Sequence, residues 1–251
     1  MPDLYDDIPP ARANPSTNLT VQLLCQEAAN FSNAESFHPE PTLYGVSDGK
    51  TIGTYLEHKF RNYLTNKNYA YEAGNSAKGL DLPGLEVDIK VTSIRQPQSS
   101  CPFSSIRQKI YGLGYSLLIF VYDKTDDPST ETAILKIVST VFVEKSQTAD
   151  FQMTFGIRQI IAHAQSNNDS AEVTKQELMA YMEARALTSN ESELRDLADD
   201  IMKEVPTQGY LTISPAMQWR LQYQRVMEQA GKIHGILSVH KTYSLTNFGK
   251  I

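Results

Sequence analysis

Eight residues, Tyr115-Ser-Leu-Leu-Ile-Phe-Val-Tyr122, run without a charge and are dense in β-branched and aromatic side chains. A strand this apolar in both phases of its alternation must be buried on both faces. It commits the chain to a central sheet with a covering layer on each side. A second strong strand pattern, Ala133 to Val143, follows the turn Asp126-Asp-Pro-Ser129. Upstream, Val21, Leu23, Leu24, Ala28 and Phe31 recur at helical spacing, as do Ile52, Tyr55, Leu56, Phe60, Tyr63 and Leu64. These predict helices over 21–34 and 51–64. The expected class is α/β (α+β), a mixed central β-sheet flanked by helices.

The stretch 79–93, Gly-Leu-Asp-Leu-Pro-Gly-Leu-Glu-Val-Asp-Ile-Lys-Val-Thr-Ser, lies between the second helix and the apolar run. Period-two alternation puts Leu85, Val87, Ile89 and Val91 on one face and Glu86, Asp88 and Lys90 on the other. The Pro83-Gly84 turn would bring Asp81 back against Asp88. Two converging carboxylates suit Mg²⁺, a hard cation that takes oxygen ligands and keeps several waters. The backbone carbonyl of Ile89 could add a further oxygen. Lys90, two residues past Asp88, would hold an attacking water or offset charge in a transition state. Asp-x-Lys by itself also describes a solvated strand face. The upstream acid, the turn and Glu57 in the preceding helix set this occurrence apart.

Asp81 with Asp88-Ile89-Lys90 resembles the signature of the PD-(D/E)xK nuclease superfamily, an acid, a spacer, then acid-x-Lys. Glu57 matches the auxiliary acid that many members carry in the preceding helix. The likeness covers roughly residues 50–143 and is greatest to type II restriction endonucleases and the mismatch-repair nicking endonuclease. It implies a restriction-endonuclease-like core and Mg²⁺-dependent hydrolysis of double-stranded DNA, leaving 5′-phosphate ends. Catalytic roles would fall to Asp81, Asp88, Lys90 and Glu57, and metal ligation to Asp81, Asp88 and the Ile89 carbonyl. The expected protein is a type II restriction endonuclease acting as a homodimer on a symmetric site. The alternatives are a nicking or repair nuclease of the same superfamily, or a non-catalytic DNA-binding regulator.

The formal net charge of −6 argues against a generic nucleic-acid binder, so DNA contact needs local basic surplus. One surplus spans Lys90–Lys124, with Arg95, Arg107 and Lys109 inside it; the loop after Ser93 offers Arg95, Gln96 and Gln98 as base or backbone contacts. A second lies after Val205, where Arg220 and Arg225 sit in a Gln-rich segment expected to be a helix over 215–231. That helix, followed by a strand over 235–243, would be a recognition helix with a wing, or else a helix packed on the core or at a dimer interface, which its aromatic anchors Trp219 and Tyr223 favour. Between Glu183 and Glu204 acids dominate, which disfavours DNA contact there. Thr174-x-x-Glu177 reads as a capping box. A soft boundary near Ser166 would divide a nuclease core with its N-terminal arm, 1–165, from a mainly helical region, 166–251, for DNA recognition or dimerisation. Cys25 and Cys101 have no partner pattern, no signal peptide or membrane-span run is present, and no phosphate-cradling Gly-Lys-Ser/Thr loop is found. The expectations are therefore a cytoplasmic, bacterial or archaeal protein without membrane or ATP as partners.

Overall fold

The computed structural model describes residues 16–72, 74, 79–101, 104–214 and 220–242. Its strands are β1 (Thr17–Asn18), β2 (Pro39–Glu40), β3 (Tyr69–Ala70), β4 (Val87–Ser93), β5 (Gln98–Ser100), β6 (Ser116–Asp127), β7 (Thr132–Val143), β8 (Thr212–Ile213), β9 (Arg220–Gln222) and β10 (Ile236–Lys241). Its α-helices are α1 (Val21–Glu35), α2 (Gly49–Asn66), α3 (Gln108–Tyr111), α4 (Phe151–Asn167), α5 (Ala171–Ala184), α6 (Glu191–Lys203) and α7 (Gln224–Gln229). The N-terminal arm up to residue 15 and the chain beyond residue 242 lie outside the described residues. No helix among the described residues is long and apolar enough to cross a membrane.

The apolar run becomes the middle of β6, and the main sheet has the order β10-β7-β6-β4, with β2 added antiparallel to β7. β6 and β7 form an antiparallel hairpin, β10 joins β7 antiparallel, and β4 is parallel to β6 at an edge. The sheet is mixed and flanked by helices, as the residue pattern predicts. Leu118, Phe120 and Tyr122 face the layer of α1 and α2, where the Phe60 and Phe120 rings pack with centroids 5.1 Å apart. Leu117, Ile119 and Val121 face a layer built from Leu221, Tyr223, Val226 and Met227. Each such buried apolar side chain contributes roughly 1.5–3 kcal/mol. A third cluster joins α3 through α6 around Ile110, Ile157, Leu178 and Leu197.

Two local readings are corrected. No helix spans 215–231: β9 occupies Arg220–Gln222, α7 begins at Gln224, and residues 215–219, Gln218 and Trp219 included, lie outside the described residues. The reason is period: Arg220, Leu221 and Gln222 alternate exposed, buried, exposed, and β5 supplies their backbone partners. Thr174 is not a cap either. Ser170 caps α5 by accepting from Val173 N, and Thr174 sits one turn inside, donating its hydroxyl to the Ser170 carbonyl. The chain after Ser166, which lies in α4, returns to the sheet region: β8 and β9 pair with β5, and β10 enters the main sheet.

Candidate active site

The site begins with a turn. Leu82 N–H donates to the Val87 carbonyl at 3.0 Å and Val87 N–H to the Leu82 carbonyl at 3.2 Å. The chain between them makes one 3₁₀ turn over Pro83–Leu85 and passes through a left-handed Glu86 at φ 53°. Leu82 is buried, which anchors the turn on the core. Glu86 thereby leaves the strand, and its carboxylate pairs with Lys145 at 2.7 Å. It does not share the face of Asp88 and Lys90.

The same turn lays Asp81 along the free edge of β4. Asp81 Oδ2 accepts from Ile89 N–H at 2.9 Å, and Arg61 Nη1 lies 3.7 Å from Asp81 Oδ1. A strand residue directs its N–H and C=O to the same side, so the Ile89 carbonyl also opens at this edge. Asp88 and Lys90 pair with Leu117 and Ile119 of β6, which puts their side chains on the face opposite α1 and α2. Lys90 Nζ is 2.6 Å from Asp88 Oδ2, with Lys90 largely buried and Asp88 buried. The Asp81 carboxylate is within hydrogen-bonding reach of Asp88. From α2, half-buried Glu57 reaches the same field of charge.

The electrostatics are strained. Burial pushes the Glu57 carboxyl up to about 7, and the neighbouring Asp81 and Asp88 add to the rise against Lys90 and Arg61. Burial also raises Asp88 above the usual carboxylate range, despite the ion pair with Lys90. For Lys90 burial pulls the other way, but the Asp88 carboxylate outweighs it and holds the ammonium above its ordinary value. Three carboxyls, Glu57, Asp81 and Asp88, thus act on one another with only Lys90 and Arg61 to offset them. Their oxygens, with the Ile89 carbonyl, are the hard donors a divalent magnesium-like cation prefers. Among the described residues no three His, Cys, Asp or Glu side chains converge closely enough to hold a metal unaided. A cation held by two carboxylates and a carbonyl would fill the rest of its shell with water.

Beside this cluster opens a cavity of about 1120 Å³. Glu57, Lys90, Arg95, Gln96, Gln98 and Arg220 line it, with Lys50 and Lys124 on its walls. Six sequence-selected residues are thus drawn together: Glu57 from α2, Lys90 from β4, Arg95 and Gln96 from the turn after it, Gln98 from β5 and Arg220 from β9. Arg107, Lys109 and Arg225 are placed elsewhere. Arg107 pairs with Asp200 at 2.5 Å, and Lys109 is buried beneath α4 near Asp150. Arg225 stacks on the Phe151 ring at 3.9 Å. Arg61 escaped the sequence reading, although it follows Glu57 by four residues and so shares its helix face. Also unforeseen were Ser99, Cys101, Tyr115 and Tyr223, which stand behind Asp88 and Lys90. Ser99 and Tyr223 share a hydrogen bond between hydroxyls, and Cys101 Sγ lies 3.3 Å from the Tyr115 hydroxyl.

Comparison with known proteins gives a consistent result. Residues 18–238 match a family model described as type II restriction enzyme NspV. The type II restriction enzyme NspV of Nostoc sp. (strain ATCC 29411 / PCC 7524) is 58% identical over 225 residues, which cover 90% of this chain and 98% of that protein. No solved structure matches.

Proposed function

We propose a catalytic arrangement from the premise that this chain belongs to the NspV type II restriction enzyme family and is a site-specific deoxyribonuclease. Asp81, Asp88 and the Ile89 carbonyl would hold one Mg²⁺ at the free edge of β4. The observation that carries this reading is the Asp81 Oδ2 to Ile89 N–H hydrogen bond, which fastens the upstream acid against Asp88-Ile89-Lys90. When bound, Mg²⁺ supplies Lewis-acid polarisation of the scissile phosphate and acidifies a coordinated water. Lys90 Nζ donates a hydrogen bond to the attacking water and offsets charge on the phosphate oxygens. Asp88 holds that ammonium in place until substrate enters. Glu57 accepts a hydrogen bond from water at the site, as its proximity to Asp81 and Lys90 allows. Arg95, Gln96, Gln98 and Arg220 meet the DNA across the cavity.

In this arrangement cleavage leaves a 5′-phosphate and a 3′-hydroxyl. Two copies related by a two-fold axis would place one such site on each strand of a symmetric sequence. The test is plasmid cleavage by wild type, Asp88→Asn and Lys90→Ala, with Mg²⁺ and with chelator, beside a DNA-binding measurement. Wild type yields linear fragments with fixed ends, while chelator and each substitution stop cleavage and leave binding intact. Undiminished cutting by either variant would overturn the site assignment, and open circles alone would indicate nicking.

A further inference from the structure

β5, β9 and β8 form a small antiparallel sheet of their own, with β9 in the middle. The register pairs Gln98 with Gln222, Ser99 with Leu221 and Ser100 with Arg220; on the other side Thr212 pairs with Gln222 and Ile213 with Leu221. Residues paired across antiparallel strands share a face. One face is therefore Ser99, Leu221 and Ile213. Leu221 and Ile213 are buried in the core cluster, and Ser99 bonds the buried Tyr223. The opposite face carries a row of Thr212, Gln222 and Gln98 and a second row of Arg220 and Ser100. Arg220, Gln222 and Ser100 are exposed. Ser214 extends the second row, since its N–H donates to the Arg220 carbonyl at 3.1 Å. The grid contains donors and acceptors and no acid.

We infer that this face of the β5-β9-β8 sheet reads base edges in the DNA major groove, with Arg220 and Gln222 as specificity-determining residues. The inference rests on the proposed active site, because Gln98, Ser100 and Arg220 line the cavity that Lys90 and Glu57 also line. The major groove admits a β-ribbon, and there Arg matches the O6 and N7 of guanine while Gln matches the N6 and N7 of adenine. Residues two apart on a strand stand about 6.8 Å from one another, close to the rise of two base-pair steps. Arg220 and Gln222 are so spaced on β9. A helix would have turned these two side chains to different sides.

The frame is held rigidly from behind. Tyr223 N–H donates to the Pro97 carbonyl at 2.8 Å, and Ile213 N–H donates to Asp150 Oδ2 at 2.8 Å. Thr92, two residues past Lys90, accepts at Oγ1 from Gln98 N–H at 3.0 Å. The catalytic strand and the first strand of the reading sheet are thereby joined through one hydroxyl. Base reading and phosphate positioning share a frame, as a site-specific nuclease requires.

The test starts by mapping the cognate site from the ends that wild type makes on phage DNA. Binding is then measured in the Asp88→Asn background, on the cognate duplex and on duplexes that each carry one substituted base pair. Arg220→Ala should lose roughly 5- to 150-fold of discrimination at one G·C pair, the range of a bidentate contact. Gln222→Ala should lose a similar factor at one A·T pair, with the other positions still discriminated. Arg220→Met and Gln222→Met, which keep the side-chain stem over the strand, should behave alike. Equal weakening on every duplex, or unchanged discrimination, would overturn the inference. Cutting by Asp88→Asn would instead overturn the active-site reading, and so the two failures are told apart.

Discussion

Helix α2 separates two groups of carboxylates that chemistry alone would treat alike. Towards α1, Glu27 accepts from the hydroxyls of Tyr63 at 2.6 Å and Tyr69 at 2.9 Å. Nearby, Glu40 accepts from Tyr55 at 2.7 Å and Glu35 pairs with Lys59 at 2.8 Å. Towards β4, Glu57, Asp81 and Asp88 crowd one another beside Lys90 and Arg61. Burial acts on Glu27 and Glu40 in the same direction as on Glu57 and Asp88, raising the carboxyls. On the α1 side the tyrosine, asparagine and threonine donors outweigh it and hold Glu27 and Glu40 below the ordinary range. On the β4 side Glu57 and Asp88 end above it. Burial therefore does not separate the two groups; the supply of donors does. Negative charge left unbalanced in a folded protein is a cost that a bound cation can relieve.

Substitutions on the two sides should have opposite signatures. The largest effect is at the β4 edge, where Asp88→Asn or Lys90→Ala should slow single-turnover cleavage by roughly 10³-fold, the scale of removing one transition-state stabiliser. Next comes Glu27→Gln. It should lower stability by about 1.5–3 kcal/mol, the range of hydrogen bonds to a charged group, with the cleavage rate nearly unchanged at room temperature. Chemical denaturation and a rate assay on the same sample check this. Glu57→Gln should do the reverse, slowing cleavage while leaving the melting temperature equal or slightly higher, because it removes a charge that lacks donors. A marked fall in melting temperature for Glu57→Gln would break the contrast.

The smallest effect is on the acid side. The folded Glu40 carboxyl lies at about 2, against 4.5 for the free group. Its contribution is present above the unfolded value and is lost as pH falls towards the folded one. Wild type should therefore lose stability between those limits, and Glu40→Gln should lose less of it over the same window. Identical acid profiles would show that the donors of Thr42 and Tyr55 do not govern Glu40.

The parts of the molecule legible in the sequence are those set by short-range periodicity. The apolar run of 115–122 had to be covered on both faces, and it is. Asp81 comes to Ile89 through one turn and one bridge, so the geometry is contained within ten residues of chain. The alternation misled at one place: Glu86 sits in a left-handed conformation that ends the turn, and strand phase applies only from Val87 onward. The Arg- and Gln-rich segment near residue 220 misled more, because three residues carry too little periodicity to separate strand from helix.

From its residues alone the chain determined a covered mixed sheet and a local acid-x-Lys turn, since side-chain alternation and turn chemistry act between near neighbours. Tertiary structure decided which face of β9 meets solvent, which bases reach the cavity and which are taken up by Asp200 or Phe151. Those outcomes depend on pairings across long stretches of chain, such as Ser99 with Tyr223 at a separation of 124 residues. A strand of three residues is stable only when a distant partner supplies its hydrogen bonds, and no local pattern announces that partner.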